Sequence, residues 1–70
     1  MNEYEYFKCT TYGYPMYFRI RKVNNVDRFE RLTTKGWVSD SRVMDYFRDG
    51  ETDPIEEAEA QAAVKRVVTS

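Results

Sequence analysis

Residues 14–22 constrain the fold most, because their side chains alternate regularly between apolar and polar types. Met16, Phe18 and Ile20 fall on one side of this stretch, and Tyr17, Arg19 and Arg21 fall on the other. A side-chain period of two residues is typical of a β-strand with one covered face. The pattern therefore predicts a central strand that buries its apolar side and leaves the tyrosine and the arginines exposed.

Two further strands are expected around this one. Residues 3–10 are rich in strand-favouring types, and the turn at residues 11–13 joins them to the central strand as a hairpin. Asn24 and Asn25 form a tight-turn dipeptide, since asparagine tolerates positive φ, and residues 26–33 then return as a third strand. The apolar residues of this last stretch are spaced by three, which also suits a helix. We favour a strand because a hairpin signal precedes it.

The C-terminal half of the sequence carries helix signals. Serine and aspartate at residues 39–41 are suited to cap a short helix over residues 42–48, and Gly50 suits the left-handed position past its end. Asp53 and Pro54 predict the start of a second helix, with Asp53 as the N-cap and Pro54 at the first helical position. The alanine-rich segment that follows has high helix propensity.

Together these signals predict an α+β fold, a small three-stranded antiparallel meander followed by a short helix and a C-terminal helix packed on one face of the sheet. Residues 1–70 are expected to form a single domain and a complete small protein. The C-terminal helix has two apolar sides, so one is expected to contact a second copy of the chain. The expected core residues are Met16, Phe18, Ile20, Phe29 and Leu32, with Trp37 closing one end.

The cysteine and histidine content limits what can stabilise so short a chain. Cys9 is the only cysteine and there is no histidine, so an internal disulfide is excluded and a zinc site is disfavoured. A single cysteine and an N-terminus without signal-peptide character are compatible with a cytoplasmic protein. No stretch reaches membrane-spanning length, so no membrane partner is expected. The small size makes a homodimer one expected source of stability.

Catalytic and metal sites find little support in the sequence. The chain has no glycine-rich phosphate loop, and no serine or cysteine lies beside a plausible base. Asp45 and Asp49 are four residues apart on the predicted helix, but solvated carboxylates at a helix end are the simpler explanation. A calcium loop starting at Asp49 would need glycine and glutamate where the chain has Pro54 and Ala60. We therefore expect no enzymatic activity, no cofactor and no metal.

Tyrosine and arginine indicate a binding surface instead. The chain of 70 residues contains six tyrosines, more than a core of this size needs, and both residue types dominate interface hot spots. The two tyrosines nearest the first turn are expected to display their rings there, and the remaining candidates lie on the exposed sheet face. The candidate binding residues are Tyr12, Tyr14, Tyr17, Arg19, Arg21 and Arg28.

The C-terminal half resembles other small proteins only in general style. Its Gly36-Trp37-Val38 segment, short helix, Asp-Gly pair and Glu-Glu-Ala helix are similar to those of small bacterial or phage-borne proteins. That resemblance implies no particular activity, and no functional residue follows from it.

We predict a non-enzymatic interaction protein, an accessory or inhibitory factor of bacterial or phage origin, that binds another protein or a copy of itself through these tyrosines and arginines. The alternative is a nucleic-acid-binding module that uses the same basic and aromatic face. Against the alternative stand Glu3, Glu5, Asp27 and Glu30, which are placed to pair with the arginines, and a net charge of −1. The six acidic residues between Asp49 and Glu59 also suit a decoy for the basic groove of another protein.

Overall fold

The computed structural model describes residues 4–68 and shows an α+β fold. In chain order the elements are β1 (Tyr4–Cys9), β2 (Met16–Val23), β3 (Val26–Thr33), β4 (Gly36–Ser39), α1 (Val43–Arg48), β5 (Asp53–Ile55) and α2 (Glu57–Val68). The strands form a five-stranded antiparallel sheet in the order β4-β3-β2-β1-β5. The predicted meander is therefore the centre of a larger sheet, with β4 and β5 added at its edges.

A two-residue turn at Asn24 and Asn25 joins β2 to β3. Both asparagines have positive φ, 51° and 64°, as in a type I′ turn, whose twist matches that of the flanking strands. The turn pairs Val23 with Val26 and so sets the register of the whole hairpin. The prediction that residues 26–33 form a strand is confirmed, because the tight turn brings two extended segments into a continuous ladder.

Strand β4 extends the sheet beyond the predicted meander. Gly36 opens it with a φ of 101°, a conformation that glycine adopts without strain. The Thr33 hydroxyl accepts a hydrogen bond from the Lys35 amide and donates one to the Gly36 carbonyl, which closes the turn. Trp37 consequently pairs with Leu32 inside the sheet, whereas the sequence placed it only at one end of the core.

Helix α1 ends with the predicted signal, but its N-cap is Arg42, which makes no side-chain capping hydrogen bond, so the predicted cap at residues 39–41 is not confirmed. The Asp40 carboxylate accepts hydrogen bonds from the guanidinium and the backbone amide of Arg42, and these hold the pKa of Asp40 below its usual range. At the other end Gly50 has a φ of 70°, and the Glu51 amide bonds back to the Tyr46 carbonyl. This is the Schellman arrangement, so the predicted role of Gly50 is confirmed.

The predicted start of the second helix is wrong. Asp53 and Pro54 belong to β5, which pairs with β1 and forms one edge of the sheet. An edge strand tolerates proline because its missing N–H group is not needed by a second neighbouring strand. Helix α2 instead begins at Glu57, and the Ala60 amide donates to the Glu56 carbonyl. Pairing with β1 therefore outweighs the local capping signal.

The two helices cover opposite faces of the sheet, which corrects the prediction that both pack on one face. Phe18 of β2 points toward α1, and its ring centroid lies 6.4 Å from that of Phe47. Its neighbour Tyr17 points the other way, and the Tyr17 hydroxyl accepts a hydrogen bond from Arg66 of α2. Leu32 also lies on the α2 face, because the register between β2 and β3 turns it away from Phe18.

The face beneath α1 holds the tightest packing. The residues involved are Cys9, Phe18 and Val43, which are fully buried, and Met16, Phe29, Tyr46 and Phe47, which pack against them. The Phe7 and Phe47 rings meet edge to face, with centroids 4.7 Å apart. Met16, Phe18 and Phe29 are thus in the core as predicted, and Cys9 serves there as a small apolar side chain.

Helix α2 crosses the other face and contacts β1, β3 and β4. Its inner side carries Ala60 and Ala63, which are buried, and Val64 and Val67, which are half-buried, whereas Ala58 and Ala62 are exposed. The more apolar side of α2 therefore packs against the sheet of the same chain. The exposed side carries Ala58 and Ala62 among charged and polar side chains, and Val68 is exposed at the end of the helix.

Candidate functional site

Four of the six predicted binding residues lie near two opposite ends of β2. Tyr12 and Tyr14 belong to the connection that precedes β2, whereas Arg21 and Arg28 lie beside the turn at its other end. At a rise of about 3.3 Å per residue, the two ends are roughly 20 Å apart. The structure therefore separates the predicted site into a loop end with two tyrosines and a hairpin end with two arginines.

At the loop end, Tyr12 contacts Glu51 and Tyr46. Its hydroxyl donates a hydrogen bond to the Glu51 carboxylate at 2.9 Å, and its ring meets the Tyr46 ring edge to face. The hydrogen bond to Glu51 raises the pKa of Tyr12 to about 12. Tyr14 is 61% exposed, the highest fraction for an aromatic side chain in the described part of the protein. Tyr12 thus ties the loop to the end of α1, and Tyr14 faces solvent.

The expected exposure of Tyr17 is wrong, because only 7% of this residue is accessible. Helix α2 covers it, and the Arg66 guanidinium donates to its hydroxyl at 3.0 Å. The alternation of residues 14–22 is the same whether a polar side faces water or a second helix, so the pattern could not reveal this cover. Tyr17 is a packing residue between β2 and α2 and lies outside any open surface.

Arg19 is held between two aromatic rings. Its guanidinium carbon lies 4.2 Å from the centroid of the Tyr4 ring and 4.7 Å from that of Trp37. Its Nε also donates to the Glu30 carboxylate at 2.5 Å, and both side chains of this ion pair are largely buried. Because the charge of Arg19 is balanced inside the fold, this residue shapes the site and is not an open ligand group.

Arg21 and Arg28 lie directly opposite each other on β2 and β3. Both are exposed, and neither forms an ion pair with any residue between 4 and 68. Like charges in a cross-strand pair repel each other. Tyr4 of β1 is the partner of Arg21 on its other side. We call the resulting row of Tyr4, Arg21 and Arg28 the hairpin-end patch.

A cleft of about 380 Å³ lies between α2 and the sheet, one step along the strands from this patch. It is lined by Tyr6, Arg19, Trp37, Ala60, Gln61, Val64 and Lys65. The sheet contributes two aromatic rings, and the helix contributes a small and a branched aliphatic side chain. The site thus combines a half-apolar recess with an exposed pair of positive charges.

Comparison with known proteins assigns no family to the chain. Searches of protein-family models, of curated proteins and of solved structures found no match.

The other candidate sites of the sequence lie elsewhere in the fold. Asp45 forms an ion pair with Arg48 of the same helix, and Asp49 is exposed at the end of that helix. Within residues 4–68, no group of three or more acidic or cysteine side chains is placed to hold a metal ion. Cys9 is buried. Neither described helix has the length and apolar character needed to cross a bilayer.

Tyr4 and Trp37 are site residues that the sequence analysis missed. The Asn24-Asn25 turn did contain a usable signal, because a two-residue turn places Arg21 opposite Arg28 by counting outward from it. Counting does not reach Trp37, whose strand has no comparable pattern. Its place beside the arginines follows only from the assembled sheet.

Proposed function

We propose that this chain is a non-enzymatic interaction protein that binds an acidic surface of another protein through the hairpin-end patch. The cross-strand pair of Arg21 and Arg28, which has no ion-pair partner among residues 4–68, is the observation that carries the proposal. Opposed like charges destabilise a sheet by a few tenths of a kcal/mol to about 1 kcal/mol. An anionic partner removes that repulsion, so the pair is better suited to a complex than to the free chain.

The composition of the patch favours a protein ligand. Guanidinium groups bind carboxylates through two parallel hydrogen bonds, and Arg21 and Arg28 are close enough to bind neighbouring carboxylates. Tyr4 adds an aromatic ring beside them, and the cleft near Trp37 has room for an apolar anchor. Arginine, tyrosine and tryptophan are the residue types that contribute most to protein interfaces.

Nucleic acid remains the alternative ligand for the same patch, and two observations weigh against it. The guanidinium of Arg19 already lies over the Tyr4 and Trp37 rings, so a face of each ring is unavailable for stacking on bases. The patch also offers only two arginines for phosphates on a chain whose net charge is −1. The accessory or inhibitory role of the complex stays a prediction from the sequence.

Trp37 makes the proposal testable without a known partner. It is the only tryptophan of the chain and lies next to Arg19, so its fluorescence reports on this end of the sheet. Titration with an oligoglutamate peptide should change the emission in a saturable way, with an affinity that falls as salt rises. Arg21→Ala/Arg28→Ala should abolish the change. The control Lys22→Ala/Lys35→Ala removes the same charge elsewhere and should preserve it.

A single-stranded oligothymidylate, titrated under the same conditions, separates the two ligand classes. Tighter binding than that of oligoglutamate, with a steeper dependence on salt, would favour the nucleic-acid alternative. An unchanged emission with both probes, or equal affinities for the wild type and Arg21→Ala/Arg28→Ala, would refute binding at the patch.

A further inference from the structure

A depression of about 480 Å³ lies beside Tyr4, where β1 extends past its pairing with β5. It is lined by Tyr4, Glu5, Tyr6, Phe7, Pro54, Ile55, Glu56 and Glu57. The three glutamates form no ion pair with any described residue. Glu59 differs from them, since it pairs with Lys8 at 3.1 Å. The depression is therefore an open acidic recess with an aromatic ring in its wall.

Tyr4 belongs both to this recess and to the hairpin-end patch. Glu56 and Glu57 lie on one side of it, and Arg21 and Arg28 occupy the next two strands on the other side, whereas Glu5 pairs with Ile20 and projects from the opposite face of the sheet. Neighbouring strands are about 5 Å apart, so the arginines are within roughly 10 Å of Tyr4 across the sheet. One end of the sheet thus presents negative and positive charge side by side.

We propose that the partner of the hairpin-end patch is a second copy of this chain, related to the first by a two-fold axis near Tyr4. A two-fold axis brings the same patch of both copies together, so the patch must be complementary to itself. A surface with both signs of charge on either side of the axis meets that condition. The inference rests on the proposed function, because it names the protein that the patch binds.

In this dimer Arg21 and Arg28 of each copy face Glu56 and Glu57 of the other, and one arginine enters the recess. A guanidinium there meets carboxylates and the Tyr4 ring, the two kinds of group that bind it best. Dimerisation compensates both sets of charges at once.

The first experiment is the solution mass of the full chain by light scattering over a concentration series. At low salt the mass should rise from that of one chain to twice that value. Added salt should return it to the monomer, because the contacts are between partly exposed charges. A wild-type chain that stays monomeric at low salt over the whole series would overturn the inference.

A charge exchange tests the pairing itself. Arg21→Glu/Arg28→Glu and Glu56→Lys/Glu57→Lys should each be monomeric alone, because like charges then meet across the two-fold axis. An equimolar mixture should form a heterodimer that native mass spectrometry identifies by its mass, since every contact is again between opposite charges. The control Lys22→Glu/Lys35→Glu changes the charge by the same amount and should still form a homodimer. Circular dichroism checks that each variant is folded.

The outcomes separate this inference from the proposed function. A mixture that fails to associate while the wild type dimerises would show that another surface forms the dimer, and would overturn the inference. If the wild type is monomeric yet its Trp37 emission responds to oligoglutamate, the patch binds a foreign acidic protein and only the second-copy assignment fails. If Arg21→Ala/Arg28→Ala alters neither property, both proposals fail.

Discussion

The hydroxyl oxygen of Tyr17 lies 3.0 Å from the Arg66 guanidinium and accepts a hydrogen bond from it. This contact joins the start of the central strand to the last helix, 49 residues further along the chain. It marks where α2 covers the basic face of the sheet. Only the hairpin end of that face stays open, so the position of α2 decides that Arg21 and Arg28 are available for binding while Arg19 is not.

Tyr17→Phe is expected to lower the free energy of unfolding by about 1 kcal/mol, because the ring stays buried while the hydrogen bond is lost. Tyr17→Ala should lower it by about 3–5 kcal/mol, since it also leaves a cavity under α2. Urea denaturation measures both effects. Tyr14→Phe is the matched control, because Tyr14 is exposed, and it should change the stability by less than about 0.5 kcal/mol. Equal losses of stability in Tyr17→Phe and Tyr14→Phe would contradict the burial of Tyr17 beneath α2.

Arg28→Glu is expected to raise the free energy of unfolding of the monomer by about 0.5 kcal/mol, because Arg21 then faces an opposite charge. The comparison is made at a protein concentration where both chains are monomeric by light scattering. The gain should shrink as salt is added. Lys35→Glu, in a turn, makes the same charge change without a cross-strand partner and should produce no such gain. A lower free energy of unfolding for Arg28→Glu than for the wild type would contradict repulsion between Arg21 and Arg28.

Gly50→Ala is expected to lower the free energy of unfolding by about 1 kcal/mol, because residue 50 is in the left-handed region. A Cβ atom there would meet nothing within 4 Å, so the cost is one of backbone conformation and not of a clash. Gly50→Asn should cost less, since asparagine tolerates positive φ. Thermal unfolding of the two variants provides the measurement. A Gly50→Ala variant as stable as the wild type would contradict the left-handed conformation of residue 50.

Ionisation of Tyr12 should reduce stability at high pH. The Glu51 hydrogen bond raises the pKa of Tyr12 from 10.0 to about 12, so the folded chain holds this proton more tightly than the unfolded chain. The contribution of the bond is therefore present below pH 10.0 and is lost as the pH rises toward 12. Tyrosinate absorbance should show a late-titrating group that is absent in Tyr12→Phe. Glu51→Gln should move that group to lower pH.

The β2–β3 hairpin was predictable because its signals are local. Alternation within β2 and the asparagine pair after it both act over a few residues, and the structure keeps the strand over residues 26–33 and the buried Phe18. The left-handed Gly50 was predictable for the same reason. Each of these features depends on the conformational preference of the residues themselves.

Asp53 and Pro54 show where local signals fail. Their pattern is a strong helix start, yet they form an edge strand. They do so by pairing with β1, which lies more than forty residues earlier in the chain, as in the pairing of Lys8 with Asp53. Trp37 is a similar case, because its strand exists only through pairing with β3. Such pairings depend on the other strand being in place, and a local pattern carries no information about it.

The sequence by itself determined the α+β class, the central hairpin, and a supply of arginine and tyrosine beyond what a small core needs. Only the tertiary structure decided which of those side chains are open. Helix α2 docks across one face, buries Tyr17, and leaves Arg21 and Arg28 beside Tyr4 at the uncovered end. The physical reason is that turns and alternation arise from short-range backbone preferences, whereas the docking of a helix arises from contacts between surfaces far apart in the chain.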